Sequence, residues 1–154
     1  MVLSNKLFVD LDVDSVNDTF KPKVNVSKDL NDILADSPLD FFIMFSSVLS
    51  IIGGQGSANY HAANLYMAAL AAQRRQSGRP ASVIHIGYVI DVGYFTRVDK
   101  SSREYIEKMQ IVPLSETDVH HAFAEAILAG NPNSERSCEV GLGIAPLDEP
   151  FIEG

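Results

Sequence analysis

One cysteine and no tryptophan occur among the 154 residues. With Cys138 alone, neither an internal disulfide nor a multi-cysteine metal site can form, and the usage suits a reducing compartment. Basic residues are scarce: 12 Lys and Arg stand against 20 Asp and Glu, a formal charge of −8. That balance argues against a phosphate-tracking nucleic-acid surface and against an anionic membrane partner. Long hydrophobic runs are lacking too. The most apolar stretch, residues 39–52, is interrupted by serines and is too short to span a bilayer. The N-terminus has no basic flank before an apolar core, so no secretory signal is expected, and the expected setting is cytoplasmic. No repeat or low-complexity segment is present.

What is there is the composition of one globular domain, 46% hydrophobic and 21% charged. Asp14 and Ser15 offer N-caps for a helix over residues 16–35, kinked or restarted at Pro22. Residues 41–47, FFIMFSS, form a continuous apolar run, as in a strand covered on both faces. Gly53, Gly54 and Gly56 then predict a flexible connection that lets backbone approach a ligand. An Ala-, Leu- and Met-rich helix is expected over residues 58–76, stopped by Gly78 and Pro80. Residues 81–89 read as a second buried strand, and residues 139–144 as a last one. Ser101 with Glu104, and Ser115 with Asp118, resemble capping boxes that open two further helices. Helices alternating with buried strands predict an α/β fold with a parallel sheet.

Within this frame Lys23, Ser47, Tyr60 and Asn64 form the most informative set. Tyr60 and Asn64 are four apart on a helix and share a side. Ser47 ends a strand, at the sheet edge where ligands of open α/β sheets gather. A tyrosine hydroxyl ordinarily ionises near ~10, so proton exchange near neutrality calls for a nearby ammonium, which Lys23 offers. Ser47 can hydrogen-bond a substrate oxygen, and Asn64 can fix the lysine and a water chain behind it. Taken singly, each residue has an ordinary explanation: an interfacial tyrosine, a solvated amide, a turn serine, a surface lysine. Only the joint arrangement is specific.

Other clusters carry less. His120 and His121 are adjacent and diverge, with no matching ligand set, so no metal site is expected. Asp10, Asp12 and Asp14 lack the glycine and terminal glutamate of a calcium loop. Arg74, Arg75 and Arg79 crowd a helix C-terminus, read as dipole pairing and solvation rather than an anion site. His61 is read as a surface or interface residue.

The stretches KPKVNVSKDLNDIL, LDFFIMFSSVLSIIGGQGSANYHAANLYMAALA and ASVIHIGYVIDVGYF resemble the ketoreductase domain of polyketide synthases, a branch of the short-chain dehydrogenase/reductase superfamily. The order Lys23, Ser47, Tyr60, Asn64 is that of this branch. The ending IGYVIDVGYF is most similar to fungal highly reducing synthases and their hybrids with nonribosomal peptide synthetases. The resemblance covers residues 2–144 or thereabouts. It implies a Rossmann-like parallel sheet with flanking helices, NADPH as cofactor, and a β-ketoacyl intermediate on an acyl carrier protein as substrate. The remaining domains of a multidomain synthase would be its partners. It further implies that Tyr60 protonates the ketone oxygen, Ser47 polarises the carbonyl, Lys23 stabilises the Tyr60 phenolate, and Asn64 holds the relay. Lys23 and Tyr60 would also contact the cofactor, and Gly87, Tyr88 and Val89 would pass beside the nicotinamide. Residues 94–111 match the region that closes over the acyl chain.

Two departures qualify the resemblance. The family's phosphate loop, G-x-G-x-x-G, should precede Lys23, and none of the 22 residues before Lys23 forms it. The sequence therefore reads as a catalytic C-terminal half over residues 1–147, the nucleotide-binding half missing, with residues 148–154 as tail or linker. It is expected to be inactive by itself. Where many bacterial members carry Leu-Asp-Asp, this chain has Leu3-Ser4-Asn5, and Ile52 replaces the tryptophan of the opposite class, so alcohol configuration is unassigned. A non-catalytic remnant and an interaction module that completes its sheet with another polypeptide stand as alternatives.

Overall fold

The computed structural model describes residues 6–90 and 111–144. Three strands, β1 (Ile43–Ser47), β2 (Ser82–Ile86) and β3 (Glu139–Gly141), form a wholly parallel sheet in the order β1-β2-β3. Met44 lies in register with Val83, and Ser46 with His85. Each crossover carries a helix: α4 (Ala58–Gln76) between β1 and β2, and α5 (Glu116–Ala129) before β3. Upstream lie α1 (Val13–Phe20) and α2 (Val26–Ile33), and α3 (Leu49–Ile52) follows β1.

The central strand β2 is buried on both faces and β1 on the face toward α4, whereas Phe45 on β1 and the short β3 stay partly exposed. On one face Phe42, Met44 and Val83 pack against Met67, Ala68, Leu70 and Ala71 of α4. On the other, Ile84 packs against Ala122 and Ala126 of α5, joined by Ile43, Ile86 and Phe123. The small residues of both helices allow close approach to the strands. This is the expected α/β arrangement.

Several boundaries differ from the sequence reading. The N-cap of α1 is Asp12, whose carboxylate accepts the Ser15 N–H at 2.7 Å, rather than Asp14 or Ser15. The Lys6 ammonium, 2.6 Å away, and the Ser15 bonds hold this carboxyl well below the usual carboxylate range. As expected, Pro22 does not end the helix but interrupts its α-helical pattern between α1 and α2. Lys21–Asn25 form one π-helical turn, and the Val26 N–H reaches back to the Lys21 carbonyl. The wider turn absorbs the hydrogen bond that proline cannot donate. After β1 the chain makes the short α3 before Gly53, whose φ of +84° ends it. The second and third strands are shorter than expected, their continuations reduced to isolated bridges, Val89 with Leu114 and Ile111 with Ile144. The capping box at Ser115 and Asp118 is present in full. The helix expected from Ser101, residues 94–110 of the acyl-covering region and the boundary after residue 147 lie outside the described residues.

Arg74 overturns its reading as a solvated helix-end cation. It is 1% exposed, stacks on the Phe42 ring at 4.3 Å, and donates to Asn31 Oδ1 at 2.9 Å and to the Pro80 carbonyl at 3.3 Å. Desolvation depresses its pKa. It tethers α2 and the β2 entry to α4 instead of facing solvent. Among the described residues no helix is long and apolar enough to cross a membrane.

Candidate active site

Lys23 sits on the π-helical turn, and its Nζ donates to the Phe45 carbonyl oxygen at 2.9 Å. The reason lies in strand register. Ser82 N–H donates to the Phe42 carbonyl and Val48 N–H to that of Ile86, so alternate residues of β1 turn their backbone toward β2. Phe45 belongs to the other set, and its carbonyl faces the opposite edge. Lys23 takes that acceptor. The same ammonium lies 5.4 Å from the centroid of the Tyr60 ring, within cation–π range. Burial removes much of its hydration and lowers its pKa from the usual 10.5 to about 8.

Tyr60 stands in the first turn of α4, only 5% exposed. Asn59 beside it locks this turn to α1 through a bond from its amide to Thr19 Oγ1 at 3.0 Å, and its Oδ1 accepts the Tyr60 N–H at 2.9 Å. The first turn of α4 is thus tied to α1, and the Tyr60 ring lies under the Lys23 ammonium; both partners are far from it in sequence. Ser47 closes β1 in register with Ile86, half-buried, its Oγ accepting the Leu49 N–H at 3.3 Å.

Asn64, one turn beyond Tyr60, is fully buried. Its amide makes no hydrogen bond to another protein group among the described residues, Lys23 included. The lysine is held by the Phe45 carbonyl rather than by this amide, a partner that no side-chain motif announces. Lys23 and Tyr60 are therefore brought together directly, while Ser47 stands at the end of β1 and Asn64 one helical turn beyond Tyr60.

Gly87, Tyr88 and Val89 follow β2 and are half-buried. A Cβ on Gly87 would lie 3.1 Å from the Leu142 carbonyl, so a larger residue there would require that backbone to give by a few tenths of an ångström. The Tyr88 carbonyl accepts the Leu114 N–H at 2.9 Å. These residues form the C-terminal edge of the sheet beside Ser47. His61, read as a surface or interface residue, is half-buried, and burial lowers its pKa. Sequence reasoning missed Ser46 and His85, both buried in the strands and facing α4. Their one signal was a polar residue inside an apolar run.

Residues 1–91 match the KR domain family. A hybrid PKS-NRPS synthetase of Penicillium oxalicum is 56% identical over 151 residues, 98% of this chain and 4% of the relative. A highly reducing polyketide synthase of Alternaria alternata is 45% identical over 154 residues, 99% of this chain and 6% of the relative. The chain thus spans a small part of the length of these curated relatives. Among solved structures, an A-type ketoreductase from a modular polyketide synthase superposes with a TM-score of 0.80 at 24% identity, covering 93% of this chain and 28% of that one. At that identity the likeness speaks to fold alone. A ketoreductase from the first module of phoslactomycin biosynthesis in Streptomyces sp. HK803 gives a TM-score of 0.75 at 26% identity, with 90% and 30% covered.

Proposed function

The chain belongs to the KR domain family found in fungal polyketide synthases, and on that premise we propose that it carries the proton-donating part of a ketoreductase site. The reaction is reduction of a β-ketoacyl thioester on an acyl carrier protein to the β-hydroxyacyl thioester. The carrier and the other domains of a multidomain synthase are the partners. The observation that carries this reading is the Lys23 ammonium against the buried Tyr60 ring.

Bound NADPH would supply the hydride. The chain's own residues supply the proton and its placement. Tyr60 Oη gives its proton to the ketone oxygen as negative charge develops there. The neighbouring Lys23 charge stabilises the phenolate that remains, in a site with little water to screen it. Ser47, at the strand end, donates a hydrogen bond to the same oxygen and holds the carbonyl in place. Gly87, Tyr88 and Val89, at the end of the adjacent strand, fit the nicotinamide end of the cofactor, together with Lys23 and Tyr60 on the ribose side. No G-x-G-x-x-G occurs in the 154 residues, so the phosphate end has no such loop to rest on here. These residues by themselves are accordingly expected neither to hold NADPH tightly nor to turn over.

The test is Tyr60→Phe with the chain borne in a full-length ketoreductase domain. Ketone reduction should fall by about a hundredfold to ten-thousandfold, with NADPH affinity little changed. Retained turnover would overturn the proton-donor role and favour a non-catalytic interaction module, for which the outward edge of β1 is the available surface.

A further inference from the structure

Two rungs join α4 to the helical segment that precedes β1. One is the Lys23 ammonium over the Tyr60 ring, 5.4 Å from its centroid. The other is a bond from the Asn59 amide to Thr19 Oγ1 at 3.0 Å. Asn59 and Tyr60 are consecutive in the first turn of α4, and Thr19 stands four residues, about one turn, before Lys23. No break separates Thr19 from Lys23, because α1 runs directly into the π-helical turn, with Phe20 and Lys21 both in the right-handed helical region. The rungs therefore tie the same pair of elements about one turn apart, and a slip at one displaces the other.

The helix end explains why asparagine stands at position 59. The N–H of Tyr60 lies in the first turn, where the helix itself supplies no acceptor, and the cap residue Ser57 makes no side-chain capping bond. Asn59 Oδ1 takes that N–H at 2.9 Å, doing from inside the turn what an N-cap side chain ordinarily does. Its Nδ2 meanwhile donates to Thr19 Oγ1 and, at 3.4 Å, to the Ser15 carbonyl. The Thr19 hydroxyl gives its own hydrogen to that same carbonyl at 3.0 Å, so it accepts from Asn59. Both ends of the amide are thus assigned by their partners. Aspartate has the same size but would set an oxygen against the Ser15 carbonyl. Asn59 and Thr19 are 4% and 1% exposed, so solvent does not compete for these bonds. The far side of the Lys23 turn is fixed as well: the buried Ser27 Oγ donates to the Lys23 carbonyl and, at 3.2 Å, to that of Val24.

We propose that Asn59 is a positioning residue of the reductase site, holding the Tyr60 ring at its working distance from the Lys23 ammonium by bridging the Tyr60 backbone N–H to the Thr19 hydroxyl. This deepens the reductase reading and rests on it. Asn59 exchanges no proton and binds no reactant; it acts through Tyr60. When Tyr60 gives its proton to the ketone oxygen, the Lys23 charge stabilises the phenolate more the closer it stands. A slip between the two helices therefore slows the proton transfer.

Two measurements in a full-length ketoreductase domain bearing this chain test it. The first needs no turnover. In lysine-labelled protein the Lys23 ε-methylene resonance should lie upfield through the ring current of Tyr60, a shift identified by its loss in Tyr60→Leu. Asn59→Ala and Thr19→Val should each remove most of that shift, and Thr19→Ser, which keeps the hydroxyl, should retain it. An unchanged shift in both Asn59→Ala and Thr19→Val overturns the proposal whether or not any ketone is reduced. The second is kinetic. Asn59→Ala and Thr19→Val should each lower kcat about tenfold to a hundredfold, with the KM for NADPH little changed and Thr19→Ser close to the parent. The double variant should be no slower than the slower single one, since both remove one bridge. Losses that multiply, or undiminished kcat in both single variants, overturn the bridge. Arg74→Lys is the control for general loosening: it should lower stability and leave kcat unmoved, and an equal fall in kcat there overturns the positioning role. Thr19→Val removes a hydroxyl without changing shape, so it decides the question even where Asn59→Ala does not fold. A parent domain without turnover overturns the reductase reading and the positioning role with it; the ring-current shift then judges the Asn59 bridge alone.

Discussion

Lys23 Nζ and the Phe45 carbonyl oxygen, 22 positions apart in sequence, meet at 2.9 Å on the outer edge of β1. The bond fixes the ammonium where it also overlies the Tyr60 ring. It exists because the parallel register turns Phe45 away from β2 and because the π-helical turn at Pro22 swings Lys23 toward the sheet. A side chain central to the proposed chemistry is thus anchored by main chain.

The desolvation of Lys23 has a consequence for stability. Its folded pKa, about 8, lies below the usual 10.5. Between those values the unfolded chain binds more protons than the folded one, so folding stability rises with pH through that window. Below about pH 8 the full cost of burying the ammonium is present. Lys23→Met removes this dependence. Urea midpoints of the two proteins should therefore draw closer in the parent's favour as pH rises from about 8 toward 10.5. Parallel curves would show that the ammonium is not desolvated.

Arg74 is expected to be structural. Arg74→Ala removes the stacking on Phe42 and the bonds to Asn31 and Pro80, and should lower stability by about 3 kcal/mol. Arg74→Lys should recover less than half of that, because an ammonium cannot reproduce the planar fork. Chemical denaturation of both variants checks this. A loss below about 0.5 kcal/mol for Ala, the level of an ordinary surface site, would return Arg74 to the solvated reading.

Two glycines with positive φ should respond differently to alanine. At Gly143, φ +77°, a Cβ would stand 2.8 Å from the Val112 carbonyl, whereas at Gly53, φ +84°, nothing lies within 4 Å. Gly53→Ala should cost about 1–3 kcal/mol for the backbone conformation alone, since φ +84° with ψ −175° is essentially confined to glycine. Gly143→Ala should cost more than about 3 kcal/mol, because the turn joining residues 111–112 to the β3 exit must also shift. Equal thermal shifts in the two variants would contradict this packing.

Much of the fold was legible because its signals are local. Residues 58–76 carry helix formers up to a Gly-Pro stop, and the observed α4 has those bounds. Ser115 and Asp118 are three apart, the spacing a capping box needs. The apolar runs at FFIMFSS and ASVIHIG became adjacent parallel strands, shortened at their ends. Less legible were Asp12, which won the cap through the reach of its carboxylate to Ser15, and Pro22, whose effect depended on whether the helix could widen. Arg74 was misread because its neighbours in sequence are polar, while its neighbours in space are Phe42 and Asn31.

By itself the sequence determined the parallel α/β class and the helix that carries Tyr60 and Asn64, which follow from periodicity, and it pointed to the family through the resemblance of whole stretches. Tertiary structure alone decided what those side chains touch. It gave Lys23 a backbone acceptor and Tyr60 a cation on its ring, and it buried Asn64 completely. Such contacts depend on strand register and helix placement, which are set by packing across the whole sheet and leave no spacing in the chain to read.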